Sequence, residues 1–482
     1  MAEKYQLFID GKWRDAGDGA TMPAINPYNQ EVWAHVPVAT AGDVEDAVAA
    51  ARRAFDTAWS KTSPGERAKL LNKVADMLDA DADRMALLET TDNGKVIRET
   101  QNQMGYAARI FRYYAAWADK MHGDVVPLDQ KDTLDLAIRE PYGVVACVTA
   151  WNSPVAILTN TLPAALAAGN CVILKPSEHA SVTTLEVAKM CDKAGFPAGV
   201  VQVVTGAGET GAALTGSKGI DKISFTGSPA VGRMISAAAG ANLKPVTMEL
   251  GGKSPNIVFD DADFDRALIG ALAGIFGATG QTCIAGSRLL VQRGVYDRMV
   301  EGLAGRAAQI KMGDPRDKET EMGTAANEPQ FNKILSFIEA AKGDGARLVA
   351  GGKRADGPGL ENGYFIEPTI FADVRNDMKV AAEEIFGPVL SIIPFDTEEE
   401  AIAIANDTPY GLTNYVQTQD PARANRMARV LRSGMVEMNG QGRAAGSPFG
   451  GMKQSGNGRE GGIFGIEDFL EIKAVSGWTP DA

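Results

Sequence analysis

Hydrophobic and polar positions change their spacing several times along this chain. From 43 to 121 apolar residues recur every three or four positions, the period of helices with one buried face. Val44, Ala47, Val48, Ala51 and Ala54 make one such face, with Asp43 placed to cap it. Pro64 suits the first turn of a second helix whose face carries Leu70, Leu71, Val74, Met77 and Leu78. At 134 the period becomes two: Leu134, Leu136 and Ile138 alternate with Asp135, Ala137 and Arg139, which predicts a half-exposed strand. Between 143 and 250, β-branched runs at 144–149, 171–174, 200–204, 223–226 and 246–250 alternate with helical stretches. This βαβ rhythm predicts a mostly parallel sheet covered by helices on both faces, a Rossmann-like nucleotide-binding domain. A second α/β region spans about 251–450, with helices near 262–276, 295–311, 397–406 and 421–432. There is no internal repeat, and the glycine-rich stretch 440–462 holds anchors such as Pro448-Phe449-Gly450-Gly451 that read as ordered.

A length of 482 residues accommodates two or three domains. The excess of 61 acidic over 48 basic residues, a net charge of -13, argues against nucleic acid as a partner, because phosphate neutralisation needs clustered Lys and Arg. The N-terminus lacks the basic start and apolar core of a signal peptide. The longest apolar runs, near 144–150 and 162–168, fall far short of the ~20 residues that span a bilayer. These features predict a cytoplasmic protein with no membrane partner.

Four cysteines give no disulfide framework, and none forms a C-x-x-C pair. Cys147 and Cys171 lie in apolar strand-like runs and Cys191 on a helical stretch, as buried small side chains do. His35, His122 and His179 fall in no metal or nucleophile motif, so neither a zinc centre nor a Ser-His-Asp hydrolase is expected.

Cys283 is different. It sits in Gly280-Gln281-Thr282-Cys283-Ile284-Ala285-Gly286-Ser287-Arg288, downstream of Glu249-Leu250-Gly251-Gly252-Lys253-Ser254-Pro255. A thiol among small residues can act as a nucleophile, and a carboxylate held by glycines can activate water, a pairing suited to covalent chemistry on a carbonyl. Read alone, Cys283 also fits a buried structural cysteine; the flanking residues favour chemistry. A G-x-G-x-x-G run at Gly206, Gly208 and Gly211 follows the strand at 200–204, but no acidic residue stands at the next strand end, so it reads as a structural turn. The better phosphate site is Phe225-Thr226-Gly227-Ser228, where Ser228 can cap a helix beginning at Pro229 and Gly232 permits close packing.

In the order and spacing of these boxes the chain resembles the NAD(P)-dependent aldehyde dehydrogenase superfamily of the hydrolytic, cysteine-nucleophile type. Further matches extend the resemblance: Trp151-Asn152-Ser153-Pro154, with Ser153 in place of a phenylalanine and Ala150 in place of a proline, Lys175-Pro176-Ser177-Glu178, Glu383-Glu384-Ile385-Phe386-Gly387-Pro388, and Pro448-Phe449-Gly450-Gly451 after Asn439. The resemblance implies a Rossmann-like NAD-binding domain (1–118 and 142–250), an α/β catalytic domain (251–450) and a small β oligomerisation element (119–141 and 451–482). It implies a homodimer or homotetramer.

The same resemblance assigns roles. Cys283 is the nucleophile, Glu249 the general base and Asn152 the oxyanion donor. Lys175, Ser177, Glu178, Gly227, Ser228, Leu250, Trp151, Glu384 and Phe386 face the cofactor. A carboxylate at Glu178 would repel a 2'-phosphate, which favours NAD over NADP. Asn439 and the Pro448–Gly451 box are expected to be scaffold. Tyr106, Ser153, Asn160, Gly277 and Arg443 are aligned with the substrate tunnel, where small residues would leave room for a bulky or aromatic aldehyde and Arg443 could pair with a carboxylate. A CoA-acylating relative commonly lacks the general-base glutamate, which is present here, and a recruited structural protein tends to lose reactive residues, none of which is missing.

Overall fold

The computed structural model describes residues 2–130 and 132–479; Met1, Lys131 and residues 480–482, which fall within the expected cofactor and oligomerisation segments, lie outside the described residues. The five β-branched runs form parallel strands at Val144–Val148, Cys171–Lys175, Val201–Val203, Lys222–Thr226 and Val246–Glu249. Across the sheet, counted in chain order, they stand 3-2-1-4-5. That is the doubly wound arrangement, and its order reverses between the strands at 144–148 and 222–226, where such sheets open a crevice at their C-terminal ends.

Three short strands extend this sheet. Leu7–Ile9 and Lys12–Arg14 add to one edge, and Gly456–Asn457 pairs antiparallel with Val246–Glu249 on the other. The tail from 451 therefore divides between two places: 456–457 joins the first sheet, and Leu470–Trp478 pairs antiparallel with Leu134–Pro141 in a separate three-stranded sheet with Asp124–Val126. Residues of Leu134–Pro141 are half-buried throughout, and strands flank it on both edges.

A second, seven-stranded sheet includes Pro255–Val258, Arg288–Gln292, Val389–Phe395 and Thr413–Gln417, all parallel. Only five residues separate Glu249, the end of a strand in the first sheet, from Pro255, the start of one in the second. The glycine-rich link thus lies between the two sheets.

The helical expectations hold with one correction. The first helix, Ala41–Thr57, is capped by Thr40, not Asp43. Asp43 is its reciprocal partner: Thr40 Oγ1 accepts from the Asp43 N–H at 3.1 Å while the Asp43 carboxylate accepts from the Thr40 N–H at 2.8 Å. Pro64 does open Pro64–Ala80, with Ser63 as cap. Cys147, Cys171 and Cys191 are buried. Gly206 makes the turn its sequence suggests, at φ +150° before the helix Gly208–Gly216. Among the described residues no helix is long and apolar enough to cross a membrane.

Candidate active site

The strand Val144–Val148 leads into Ala150-Trp151-Asn152-Ser153, after which Pro154 starts a buried helix. Lys222–Thr226 leads into Gly227 and Ser228, whose hydroxyl accepts from the Val231 N–H at 3.3 Å and caps the helix Pro229–Gly240. Gly232 lets this helix meet Leu250 closely; a Cβ there would lie 2.8 Å from Leu250 Cδ2. These strand ends border a cavity of about 280 Å³ that also holds Cys283, Glu249, Glu384 and Phe386.

Cys283 reaches the cavity by an unusual backbone path. After the helix Phe264–Phe276, Ala278, Thr279 and Gly280 all have left-handed conformations, with φ of +49°, +54° and +68°. For residues with a Cβ this costs on the order of 1–3 kcal/mol each. The path is held by Glu99, whose carboxylate accepts from the Ala278 N–H at 2.9 Å, and by Gln281, whose amide donates to Thr324 O and accepts from the Ala326 N–H. Gly280 permits contact with the opposite loop: a Cβ there would lie 2.1 Å from Gly387 O. Asn152 Nδ2 donates to Gln281 O at 2.9 Å, which ties it to the cysteine loop and leaves its second amide proton uncommitted. Burial, reinforced by the Glu249 and Glu384 carboxylates, pushes the Cys283 thiol up to about 12. The thiol is therefore protonated at neutral pH, and ionisation requires a nearby positive charge or a proton acceptor.

Glu249 is buried, and neither carboxylate oxygen has a hydrogen-bond partner. Burial and the neighbouring Glu460 push its proton affinity well above the usual carboxylate range. Glu460 was not foreseen. It is carried to the cavity by its pairing with Phe449 in an isolated antiparallel bridge, and burial pushes it up to about 8 against a hydrogen bond from the Asn160 amide. Gly450 leaves room for Glu249: a Cβ at 450 would stand 2.6 Å from Glu249 Oε1.

On the other side, Glu384 is seated against the glycine link, with the Gly252 N–H donating to its Oε1 at 3.0 Å. Phe386 adopts φ +61° and meets Trp151 edge to face at 5.3 Å, while Gln330 Nε2 donates to the carbonyls of Ile385 and Phe386. Lys253, ending the link, is buried without a hydrogen-bond partner, and burial together with the Arg288 guanidinium lowers its amine to about 7.

Lys175, Ser177 and Glu178 stand off the cavity wall, at and just after the end of the neighbouring strand. Lys175 Nζ lies 3.6 Å from Glu178 Oε2. Although burial works against it, a backbone N–H and Lys175 keep the Glu178 carboxyl below the usual range. Along the sheet's C-terminal edge the order is therefore Lys175 and Glu178, then Trp151 and Asn152, then Gly227 and Ser228, then Leu250 with Glu384. Two carboxylates, Glu178 and Glu384, thus flank the helix N-terminus capped by Ser228, whose free N–H groups suit an anion.

Of the residues expected around substrate, Ser153 and Asn160 line the cavity; Tyr106, Gly277 and Arg443 do not. Tyr106 stands behind Asn160, its hydroxyl donating to Asn160 Oδ1 at 2.8 Å, and Gly277 immediately precedes the left-handed path. Arg443 stacks on Phe449, 4.7 Å from the ring centroid, and is 3.4 Å from Glu437. Phe449, expected as scaffold, lines the cavity. Lys95 was also missed; it is buried behind Ser153 and donates to its hydroxyl at 2.5 Å. Its sequence signal was faint: a lysine after Asn93-Gly94 in a helical region. Among the described residues no group of three or more His, Cys, Asp or Glu is arranged to hold a metal ion.

Residues 13–475 match the model of the aldehyde dehydrogenase family. An aldehyde dehydrogenase of Emericella nidulans is 45% identical over 97% of this chain and 94% of its own. A (Z)-2-((N-methylformamido)methylene)-5-hydroxybutyrolactone dehydrogenase of Acinetobacter baylyi is 45% identical over 98% of this chain and 96% of its own. Among solved structures, a betaine aldehyde dehydrogenase of Staphylococcus aureus in complex with NAD+ superposes with a TM-score of 0.97 at 40% identity, over 98% of this chain and 95% of that one.

Proposed function

The chain belongs to the aldehyde dehydrogenase family, and on that premise we propose that it oxidises a bulky or aromatic aldehyde to the carboxylic acid through a covalent adduct on Cys283, with NAD as the preferred cofactor. The observation that carries this reading is the convergence of Cys283, Asn152 and Glu249 on one cavity, the thiol on one loop and a partnerless buried carboxylate near it.

Lys175 and Glu178 would hold the adenosine ribose, the N-terminus at Gly227 and Ser228 the phosphates, and Glu384 the second ribose, with Phe386 and Trp151 beside the ring. A nicotinamide dinucleotide held there would supply the acceptor for the hydride that leaves the Cys283 thiohemiacetal as it becomes a thioester. Cys283 attacks the carbonyl carbon, its proton passing to a basic group or water, and the developing oxyanion accepts hydrogen bonds from the free amide N–H of Asn152 and from the Cys283 backbone N–H. Glu249, once ionised, removes a proton from the water that attacks the thioester. The acid leaves and the thiol is restored. A negative charge at Glu178 disfavours the 2'-phosphate of NADP.

Phe449, Ile157 and Ile284 give the cavity an apolar wall that suits a flat or branched aldehyde, while Ser153 and Asn160 leave it open. The stacked Arg443 is the candidate anchor for an acid-bearing semialdehyde. We assign cofactor binding to 1–118 with 142–250 and catalysis to 251–450. Homodimer or homotetramer formation is assigned to the three-stranded sheet, where Val125, Ile472 and Trp478 are 67%, 70% and 54% exposed. Four free thiols suit the cytoplasm.

The decisive experiment is Cys283→Ser with an aldehyde panel and NAD. NADH production is expected to vanish while NAD binding by calorimetry stays near wild type; turnover above a few per cent would remove Cys283 from the mechanism.

A further inference from the structure

The turn Asn93-Gly94-Lys95 joins the helices Ala82–Asn93 and Ile97–Trp117 and is buried under the cavity. Gly94 caps the first helix at φ +75°, and a Cβ there would lie 1.9 Å from Thr324 Oγ1, so the turn is pressed against the second sheet's side of the molecule. Lys95 is 5% exposed. A buried ammonium costs several kcal/mol of desolvation unless its donors are used. Lys95 Nζ donates to Ser153 Oγ at 2.5 Å; with the Gln103 amide assigned so that its oxygen faces the ammonium, the orientation that satisfies both ends, Lys95 also donates to Gln103 Oε1 at 2.9 Å and Gln103 donates to Glu89 Oε1.

Ser153 sits at the N-cap of Pro154–Ala168, yet its side chain makes no capping bond. The helix's free Val155 N–H is met instead by Glu89 Oε2 at 3.2 Å. Freed from capping, the Ser153 hydroxyl accepts from Lys95 and donates to Asn152 O at 2.7 Å. Asn93 Nδ2 adds long contacts to Trp151 O and Asn152 O, at 3.4 and 3.5 Å. With its carbonyl gripped from this side and its amide bonded to Gln281 O, Asn152 has little freedom to turn. An oxyanion donor is effective only when aimed before charge develops.

We propose that Lys95 is a positioning residue for Asn152, acting through the Ser153 hydroxyl, so that the turn Asn93-Gly94-Lys95 aims the oxyanion donor at the cysteine loop; this rests on the reading of Asn152 as that donor. Burial works against the Lys95 ammonium and lowers its amine from the ordinary range, while the Glu99 and Glu89 carboxylates pull the other way. A cation there also lies within electrostatic reach of a Cys283 thiolate.

The test is a double-mutant cycle on the full chain, read as kcat for NADH formation with the best aldehyde of a panel. Lys95→Met should lower kcat about tenfold or more with KM for NAD nearly unchanged. In an Asn152→Ala background the same substitution should cost less than about twofold, because its target is gone. Ser153→Ala should reproduce the loss and Ser153→Thr should restore it, which keeps the test open if Lys95→Met folds poorly. An equal loss in both backgrounds, or wild-type kcat in Ser153→Ala, would overturn the proposal. Full activity in Asn152→Ala alone would instead overturn the oxyanion role of Asn152.

Discussion

Gly251 and Glu384 stand so close that a single added carbon would not fit between them: a Cβ at 251 would lie 2.0 Å from Glu384 Oε2. The seat for this carboxylate is therefore the bare backbone of the glycine link, with the Gly252 N–H bonded to the other oxygen. Gly251→Ala should displace Glu384 while leaving Cys283 in place. The expected result, by titration calorimetry, is NAD affinity weakened about tenfold or more, the scale of losing one charge-assisted hydrogen-bond pair. Alkylation of Cys283 should proceed at the wild-type rate. Unchanged NAD affinity would mean that Glu384 does not bear on the cofactor.

Glu249→Gln separates the two halves of the reaction. If Glu249 serves deacylation, steady-state turnover should fall by roughly 10² to 10⁴. Acyl-enzyme should then accumulate on Cys283 and be visible by mass spectrometry after rapid quenching. Full turnover would assign the base to another group.

The Glu249 and Glu460 pair also predicts how stability depends on pH. Burial raises both carboxyls in the folded state, Glu460 to about 8, above the unfolded range near 4.5. The folded protein then holds more protons than the unfolded one between those values, so stability falls as pH rises through that window. Thermal unfolding should show the wild type losing stability from pH 5 to pH 9, with a shallower slope in Glu460→Gln. Identical slopes would show that Glu460 ionises freely in the fold. The hydrolytic rate should climb as rising pH ionises Glu249, whose proton is held by burial and by Glu460.

Cofactor choice is tested at Glu178. Glu178→Ser removes the charge that a 2'-phosphate would meet, and the ratio of kcat/KM for NAD to that for NADP should narrow from a clear wild-type preference for NAD. Equal use of both cofactors by the wild type would contradict the reading.

Substrate preference is tested at Arg443. Benzaldehyde should be oxidised with higher kcat/KM than acetaldehyde, and Arg443→Ala should lower the preference for succinic semialdehyde over butanal. An unchanged preference would remove Arg443 as an anchor and leave it as the partner of Glu437 and Phe449.

The sequence by itself determined the elements and most of the cavity's backbone frame. Periodicity and β-branched runs located the five parallel strands, and Pro64 and Ser228 marked helix starts, because these properties depend on residues a few positions apart. It also picked out Cys283 and Glu249, whose small and glycine neighbours leave a local trace, and Glu384 through the resemblance of its box to a known family. Even within reach of local rules Asp43 was misplaced by three residues, since a capping box puts acceptors at both its ends. Tertiary structure alone decided which distant side chains meet. Glu460 comes beside Glu249 only because 456–457 pairs with the strand ending in Glu249 and Glu460 bridges to Phe449. Lys95 reaches Ser153, and Asn152 reaches Gln281, across 58 and 129 positions of chain. Arg443 and Tyr106 were turned from the cavity wall by partners, Glu437 with Phe449 and Asn160, that no local pattern identifies. Such contacts follow from sheet order and from the need of each buried charge or amide to find a partner, and both are settled only when the chain is closed.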